Sequence, residues 1–406
     1  MRTGPAPLGA FGLASLALWA HLAFAADPVP AGGVPAAGSG AAEAAEDDGS
    51  RVTYLSLGGA FSRGLGADPL GALYLWRAPA SGESRLRALV SVIANEVRYD
   101  AGPSGGKGPR VVLSFDSQTF PWAVAEVVDG TEVRGEELEF FQARAGAGLL
   151  WRAALGPGES YNGFDAGLTV EAGALWFRRG SETSPDFVLP GDTPEVRVHL
   201  RLRADALSRN DLSLPDAGWS AGLDGTWGGR TSWSAWGSPA SGLSRDGRTW
   251  ASVSAYAWAA LRVPGLPDRH RLVPSFHAGA GTGLDRFSTF RLGAGSAWGD
   301  FESLSRPVLP GAGVEEIAAA RYAVAGLEYR YAVLPVLFVQ MRGTLAWAGG
   351  VRTSTLPALS VGLTSGLPWD SAIELCGSWN FGLENARADA AEKGRAGFLV
   401  NVSKVF

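Results

Sequence analysis

Glu195 to Leu207 reads EVRVHLRLRADAL. Val196, Val198, Leu200, Leu202, Ala204 and Ala206 hold the even positions, and Arg197, His199, Arg201, Arg203 and Asp205 the odd ones. Successive side chains of a strand point to opposite faces, so this pattern is one strand with an apolar face and a cationic face. The stretch is about twice the usual five or six residues of a soluble strand. Its length suits a tilted strand crossing a bilayer, with lipid on one side and a polar lumen on the other.

The same period of two recurs on both sides of this stretch. In Phe164 to Phe177 the residues Phe164, Ala166, Leu168, Val170, Ala172, Ala174 and Trp176 oppose Asp165, Thr169 and Glu171. In Glu139 to Ala153, Phe141, Leu149 and Trp151 oppose Gln142, Arg144 and Arg152. Arg85 to Val97 is read as one strand with Leu86, Ala88, Val90, Val92 and Ala94 against Arg85, Arg87, Ser91 and Asn95. A period of 3.6 is sustained nowhere. Backbone groups in hydrocarbon have no water to bond, so such strands have to close into a barrel. Trp76, Trp151, Trp176, Trp258, Tyr329, Tyr331, Trp347 and Trp369 are expected in the aromatic girdles at the membrane surfaces.

The composition agrees. The chain of 406 residues is 46% hydrophobic and 18% charged, with 56 Gly, 15 Trp, 2 Met and one Cys. No stretch after residue 25 holds the ~18 uninterrupted apolar residues of a spanning helix. The single Cys376 excludes an internal disulfide framework and a cysteine-based zinc site. A net charge of −5 argues against a general nucleic-acid binder.

Arg2, an apolar run from Leu8 to Phe24, and Ala23-Phe24-Ala25 read as a signal peptide, residues 1–25. Residues 26–50, rich in Ala, Gly and Pro with an acidic end, read as a disordered periplasmic tail. Residues 51–406 are the barrel. Candidate strands lie near 52–63, 68–78, 84–98, 109–117, 120–129, 137–154, 163–178, 195–207, 217–229, 249–262 and 271–282. Five more follow at 320–333, 335–348, 357–366, 371–382 and 395–406. The expected fold is therefore an all-β transmembrane antiparallel barrel of about sixteen strands, an even number as single-chain bacterial barrels require. A long loop precedes the last five strands, and the expected location is the bacterial outer membrane. The final strand, GRAGFLVNVSKVF, ends on Phe406, an aromatic terminus that resembles the signal read by the barrel assembly machinery.

The loop, Leu284 to Ala319, is far longer than a hairpin connection. It contains FRLGAG at Phe290 to Gly295 and LPGAGVEE at Leu309 to Glu316, and GLEYRY at Gly326 to Tyr331 follows. This succession resembles the bacterial surface antigen superfamily of outer-membrane assembly and translocation barrels, nearest its patatin-linked subtype. The resemblance implies sixteen strands and a loop folded into the lumen between the eleventh and twelfth. It further implies a loop motif at Leu309, Pro310 and Gly311 with Glu315 and Glu316. Assembly members carry an Arg-Gly tip that pairs with an acidic wall residue, whereas here the tip is Pro310-Gly311 and the wall offers Gln340 and Arg342. Either the acidic Glu315 and Glu316 sit against Arg342, or they are solvated and Arg342 pairs with a neighbouring strand. Only the barrel resembles the family, so the periplasmic domains of its assembly members are expected on a separate partner protein.

Arg85, Arg87, Arg144, Arg152, Arg197, His199, Arg201, Arg203, Glu328, Arg330 and Arg342 are expected to face the lumen, where a buried arginine needs a bidentate partner or water. Two readings stay open. The residues are ion pairs packed around an inserted loop, or they line a passage for anions. No Ser, His and orienting group are required by the pattern to converge, so no enzyme activity, metal or cofactor is expected. Expected partners are outer-membrane lipid, the barrel assembly machinery and a separate periplasmic protein, with no nucleic acid. The functional expectation is a role in outer-membrane biogenesis or translocation, and the alternative is a passive, anion-preferring, porin-like channel.

Overall fold

The computed structural model describes residues 50–63, 66–78, 81–91, 94–128, 131–155, 163–210, 212, 214–239, 243, 247–294, 304–349, 353–383 and 394–405. The signal peptide, nearly all of the tail and Phe406 lie outside the described residues. Sixteen long antiparallel strands close into one barrel. They are β1 (Ser50–Ser62), β2 (Gly66–Ala78), β3 (Ser84–Ser91), β4 (Ala94–Ala101), β5 (Gly108–Val128), β6 (Thr131–Ala153), β7 (Gly163–Arg179) and β8 (Thr193–Asp205), followed by β9 (Pro215–Arg230), β10 (Thr249–Arg262), β11 (His270–Thr282), β12 (Arg321–Leu334), β13 (Leu337–Gly349), β14 (Thr353–Leu367), β15 (Ser371–Asn380) and β16 (Ala396–Val405). Each strand pairs with its chain neighbours. β16 closes the cylinder on β1, in register from Tyr54↔Val405 to Ser62↔Gly397. With both ends of the sheet joined, the described residues contain no free edge strand.

The burial pattern is inverted relative to a water-soluble protein. Leu149, Val170, Leu327, Met341 and Val361 are each more than half exposed on the outer face, while Arg144, Glu195 and Glu328 are at most 5% exposed inside. A solvent that accepts apolar side chains must surround such a surface. Trp151, Trp176, Trp347 and Trp369 lie exposed, as girdle residues do. Trp76 and Trp258 do not. Trp76 is 4% exposed, and the indole N–H of Trp258 donates to the Leu304 carbonyl at 3.0 Å inside the barrel.

Two boundaries differ from the sequence reading, and their effects on the strand count cancel. The stretch 84–98 is a hairpin, β3 and β4, in which Val90 lies opposite Asn95. The turn reverses the parity. Asn95 shares the outer face with Val90, and Glu96 and Arg98 fall on the inner face of Leu89 and Arg87. Conversely, 109–117 and 120–129 are one strand, β5. Pro121 has no N–H for the ladder, and the strand passes it through register shifts between Phe120 and Val124 and between Val124 and Glu126.

The barrel has two unlike ends. Short turns join β2 to β3, β4 to β5, β8 to β9 and β10 to β11 at one end. The other end carries the segment 180–192, the β9–β10 connection and the long β11–β12 connection, whose Phe290–Leu292 and Ile317–Ala319 form a separate ribbon.

Candidate functional site

The site is the lumen and the loop that occupies it. At the loop's base, the Oδ1 of Asp285 accepts the N–H groups of Phe287 and Ser288, each at 3.1 Å, and the Ser288 hydroxyl at 2.8 Å. Its Oδ2 accepts from Arg230 Nη1 at 2.6 Å. The Arg230 side chain is fully buried. It also donates to the Gly247 carbonyl at 2.7 Å and to Glu195 Oε2 at 3.1 Å, and its guanidinium lies 4.4 Å from the Trp233 ring and 4.5 Å from the Trp250 ring. Glu195 in turn accepts from Arg144 at 3.0 Å and Arg197 at 2.6 Å. A buried arginine held by two carboxylates and two indoles joins the loop to β8 and β9. Burial pushes the Asp285 carboxyl above its ordinary range, and Arg230 offsets this only in part.

Beyond this latch the loop packs by apolar contact. Leu292, Leu309, Ala312, Ile317 and Ala319 form one cluster with Tyr322, Val324, Ala346, Ala348 and Leu356 on the inner faces of β12, β13 and β14. Leu309 N–H donates to the Gly293 carbonyl and Ala294 N–H to that of Gly313, so FRLGAG and LPGAGVEE are two halves of one docked unit. The tip carbonyls are held by the wall. Asn380 Nδ2 donates to Pro310 O at 3.0 Å, and Ser62 Oγ donates to Gly311 O at 2.9 Å. Gly311 has φ +83°, and a Cβ there would stand 3.0 Å from that of Asn380. The tip thus rests on β1 and β15, beside the β16–β1 seam.

The acidic residues after the tip act locally. Glu316 Oε2 accepts the N–H of Gly313 at 2.7 Å and closes the turn. Burial pushes the Glu315 carboxyl up, partly offset by the charges of Arg291 and Arg306. Arg342 reaches neighbouring strands instead. It donates to Ser275 Oγ at 3.3 Å, lies over the Trp258 ring and stands directly opposite Glu328. Arg342 thus faces neighbouring strands, as the second alternative has it, but Glu316 is buried rather than solvated. Asp285, at the loop's base, is a loop carboxylate that does reach a wall arginine, Arg230.

The other inward arginines face carboxylates. Arg144 chelates Asp116, its shortest contact being 2.6 Å. Arg152 grips Asp165 with two N–H groups. His199, Arg201 and Arg203 converge on Asp224 at 3.3, 3.1 and 3.1 Å. Arg87 meets Glu96 at 3.1 Å, and Arg330 meets Glu328 and the Pro215 carbonyl. Arg85 faces the same interior near the short-turn end. Sequence reasoning passed over Arg230, Asp285, Asp116 and the hub role of Glu195. Only the parity of Arg230 with Ser220, Gly222 and Asp224 signalled that it faces inward.

The short-turn end is also narrowed. Leu207 packs inside on Ala260 and Val273, and the Asn210 side chain caps the N–H groups of Leu212 and Leu214. A Gly-x-Ser-x-Gly string occurs twice, and neither copy is the strand-to-helix elbow of a hydrolase. Gly102–Gly106 is the β4–β5 turn, and Gly218–Gly222 lies within β9.

No family model and no curated protein matches the chain. Among solved structures, CdiB from Acinetobacter baumannii is similar with a TM-score of 0.53 and 11% identity, covering 88% of this chain and 60% of that one. BamA from Haemophilus ducreyi, lacking POTRA domains 1–3, has a TM-score of 0.51 and 12% identity, covering 89% and 70%. OccK10 from Pseudomonas aeruginosa has a TM-score of 0.36 and 10% identity. The first two share the barrel fold, and the chain spans 60% of the CdiB chain's length.

Proposed function

We propose that this chain is a bacterial outer-membrane barrel that serves outer-membrane biogenesis or translocation, without catalysis of its own and beside a separate periplasmic partner. The observation that carries the reading is the docked loop. Its base is latched through Asp285 to Arg230, and its tip rests on the seam between the first and last strands. A passive pore gains nothing from filling its lumen, whereas a barrel that must open on demand needs a closure that can be released. The inward-folded loop with its LPGAGVEE tip and the fold shared with CdiB and BamA support the same reading.

Planar-bilayer conductance tests it. The wild type is expected to be mostly closed, and a variant lacking residues 304–316 to conduct steadily. Steady anion-selective channels in the wild type would instead establish the porin-like alternative, which the arginines near the short-turn end favour. Depleting the protein and quantifying the outer-membrane proteome tests the biogenesis role, and an unchanged proteome and secretome would remove it.

A further inference from the structure

A second, small internal space lies near the short-turn end, away from the docked tip. Six arginines line it, Arg85, Arg87, Arg98, Arg152, Arg201 and Arg203, against two aspartates, Asp100 and Asp165. Both aspartates are already engaged, Asp100 by Arg110 and Asp165 by Arg152. Glu96, Asp205 and Asp224 stand just outside, and the positive surplus persists when they are counted together with Arg110. Arg203 is 6% exposed, and its Nε and Nη1 have no acceptor. The Tyr256 ring, 5.4 Å from its guanidinium carbon, supports one face of the group and leaves those in-plane donors unused. Arg85 Nη1, on the same inner face of β3 as Arg87, is likewise buried without an acceptor. Unmet charged donors are costly inside a protein, and two planar forks facing one space match the oxygens of a tetrahedral oxyanion.

We infer that this space is a binding site for a phosphate-class dianion, entered from the short-turn end and separate from the loop that closes the barrel. Arg85 and Arg203 supply the direct hydrogen bonds, and Arg98 and Arg201 the surrounding charge. The ligand is either a free phosphate or the phosphomonoester headgroup of a lipid, since both present the same oxygens.

Titration calorimetry on the purified full chain in detergent tests the site, at constant ionic strength with sodium chloride as the blank. One arm uses inorganic phosphate and the other short-chain phosphatidic acid, with phosphatidylcholine as its control. Saturable binding with a Kd below about 1 mM is expected in at least one arm. Binding in the first arm identifies a solute site, and binding in the second alone a headgroup site. Arg203→Gln and Arg85→Gln should each weaken binding about tenfold or more. Arg262→Gln, which alters an exposed surface pair with Asp268, should bind as the wild type does. Heat-modifiable migration on gels confirms that each variant is folded. Absence of saturable binding in both arms, or equal binding by folded Arg203→Gln, overturns the inference.

Discussion

Replacing Arg230 with Gln should release the loop, and the size of the effect follows from what Arg230 holds. The substitution strands Asp285 in a buried site and takes one of three guanidiniums from Glu195. It also removes the cation from between the Trp233 and Trp250 rings. Breaking a buried pair by deleting one member costs about 3–5 kcal/mol, because the remaining charge is uncompensated. The lower figure is appropriate here, since Asp285 keeps three hydrogen bonds within the loop. About 3 kcal/mol raises the undocked population roughly 100-fold. The partner substitution Asp285→Asn should cost much less, since burial already disfavours the charged carboxyl and Arg230 retains Glu195. A carboxyl whose pKa is raised in the folded state favours that state when protonated, and this contribution is lost as pH rises through the folded pKa. Openings of Arg230→Gln at neutral pH should therefore diminish on acidification, and Arg230→Gln/Asp285→Asn should open less often than Arg230→Gln alone. Single-channel opening frequency reads all of these. The reasoning is refuted if folded Arg230→Gln opens no more often than the wild type, or if Asp285→Asn opens as often as Arg230→Gln.

Three further outcomes are expected. Gly311→Val places a branched side chain at positive φ against Asn380, with a cost of at least 1–2 kcal/mol from the backbone alone. The displaced tip should make Cys376, which lines the space beneath it, at least several-fold more reactive to a maleimide, and unchanged labelling would show that the tip is not held there. Val170→Arg, at an outward position that is 52% exposed, should destabilise the barrel in vesicles by about 2–4 kcal/mol in urea unfolding. No loss would contradict a lipid-facing strand. Gly228→Ala puts a methyl group into the Trp250 indole opposite it, and should lower unfolding stability by about 1–3 kcal/mol.

The architecture was legible because alternation is local. Each outward Leu, Val or Trp and each inward Arg or Asp records which solvent its own position meets, and no partner has to be known to read it. Ambiguity entered where local pattern and pairing diverge. In 84–98 the alternation continues through a turn, and only the register of Val90 with Asn95 shows that the chain has reversed. Around Pro121 the local signal breaks although the strand does not, because β6 carries the ladder past it.

The sequence by itself determined a barrel of long two-faced strands, the cationic lining of its lumen and the place of an inserted loop. All three follow from side-chain period and segment length. Only the tertiary structure decided which charges meet. EVRVHLRLRADAL shows that Arg197, His199, Arg201 and Arg203 share a face, but not that His199, Arg201 and Arg203 converge on Asp224 while Glu195 gathers Arg144, Arg197 and Arg230. Nor does it show that Asp285, rather than Glu315 or Glu316, meets the wall arginine that holds the loop. The physical reason is that an ion pair depends on strand register, barrel closure and a loop crossing the lumen, each of which brings together residues tens to hundreds of positions apart.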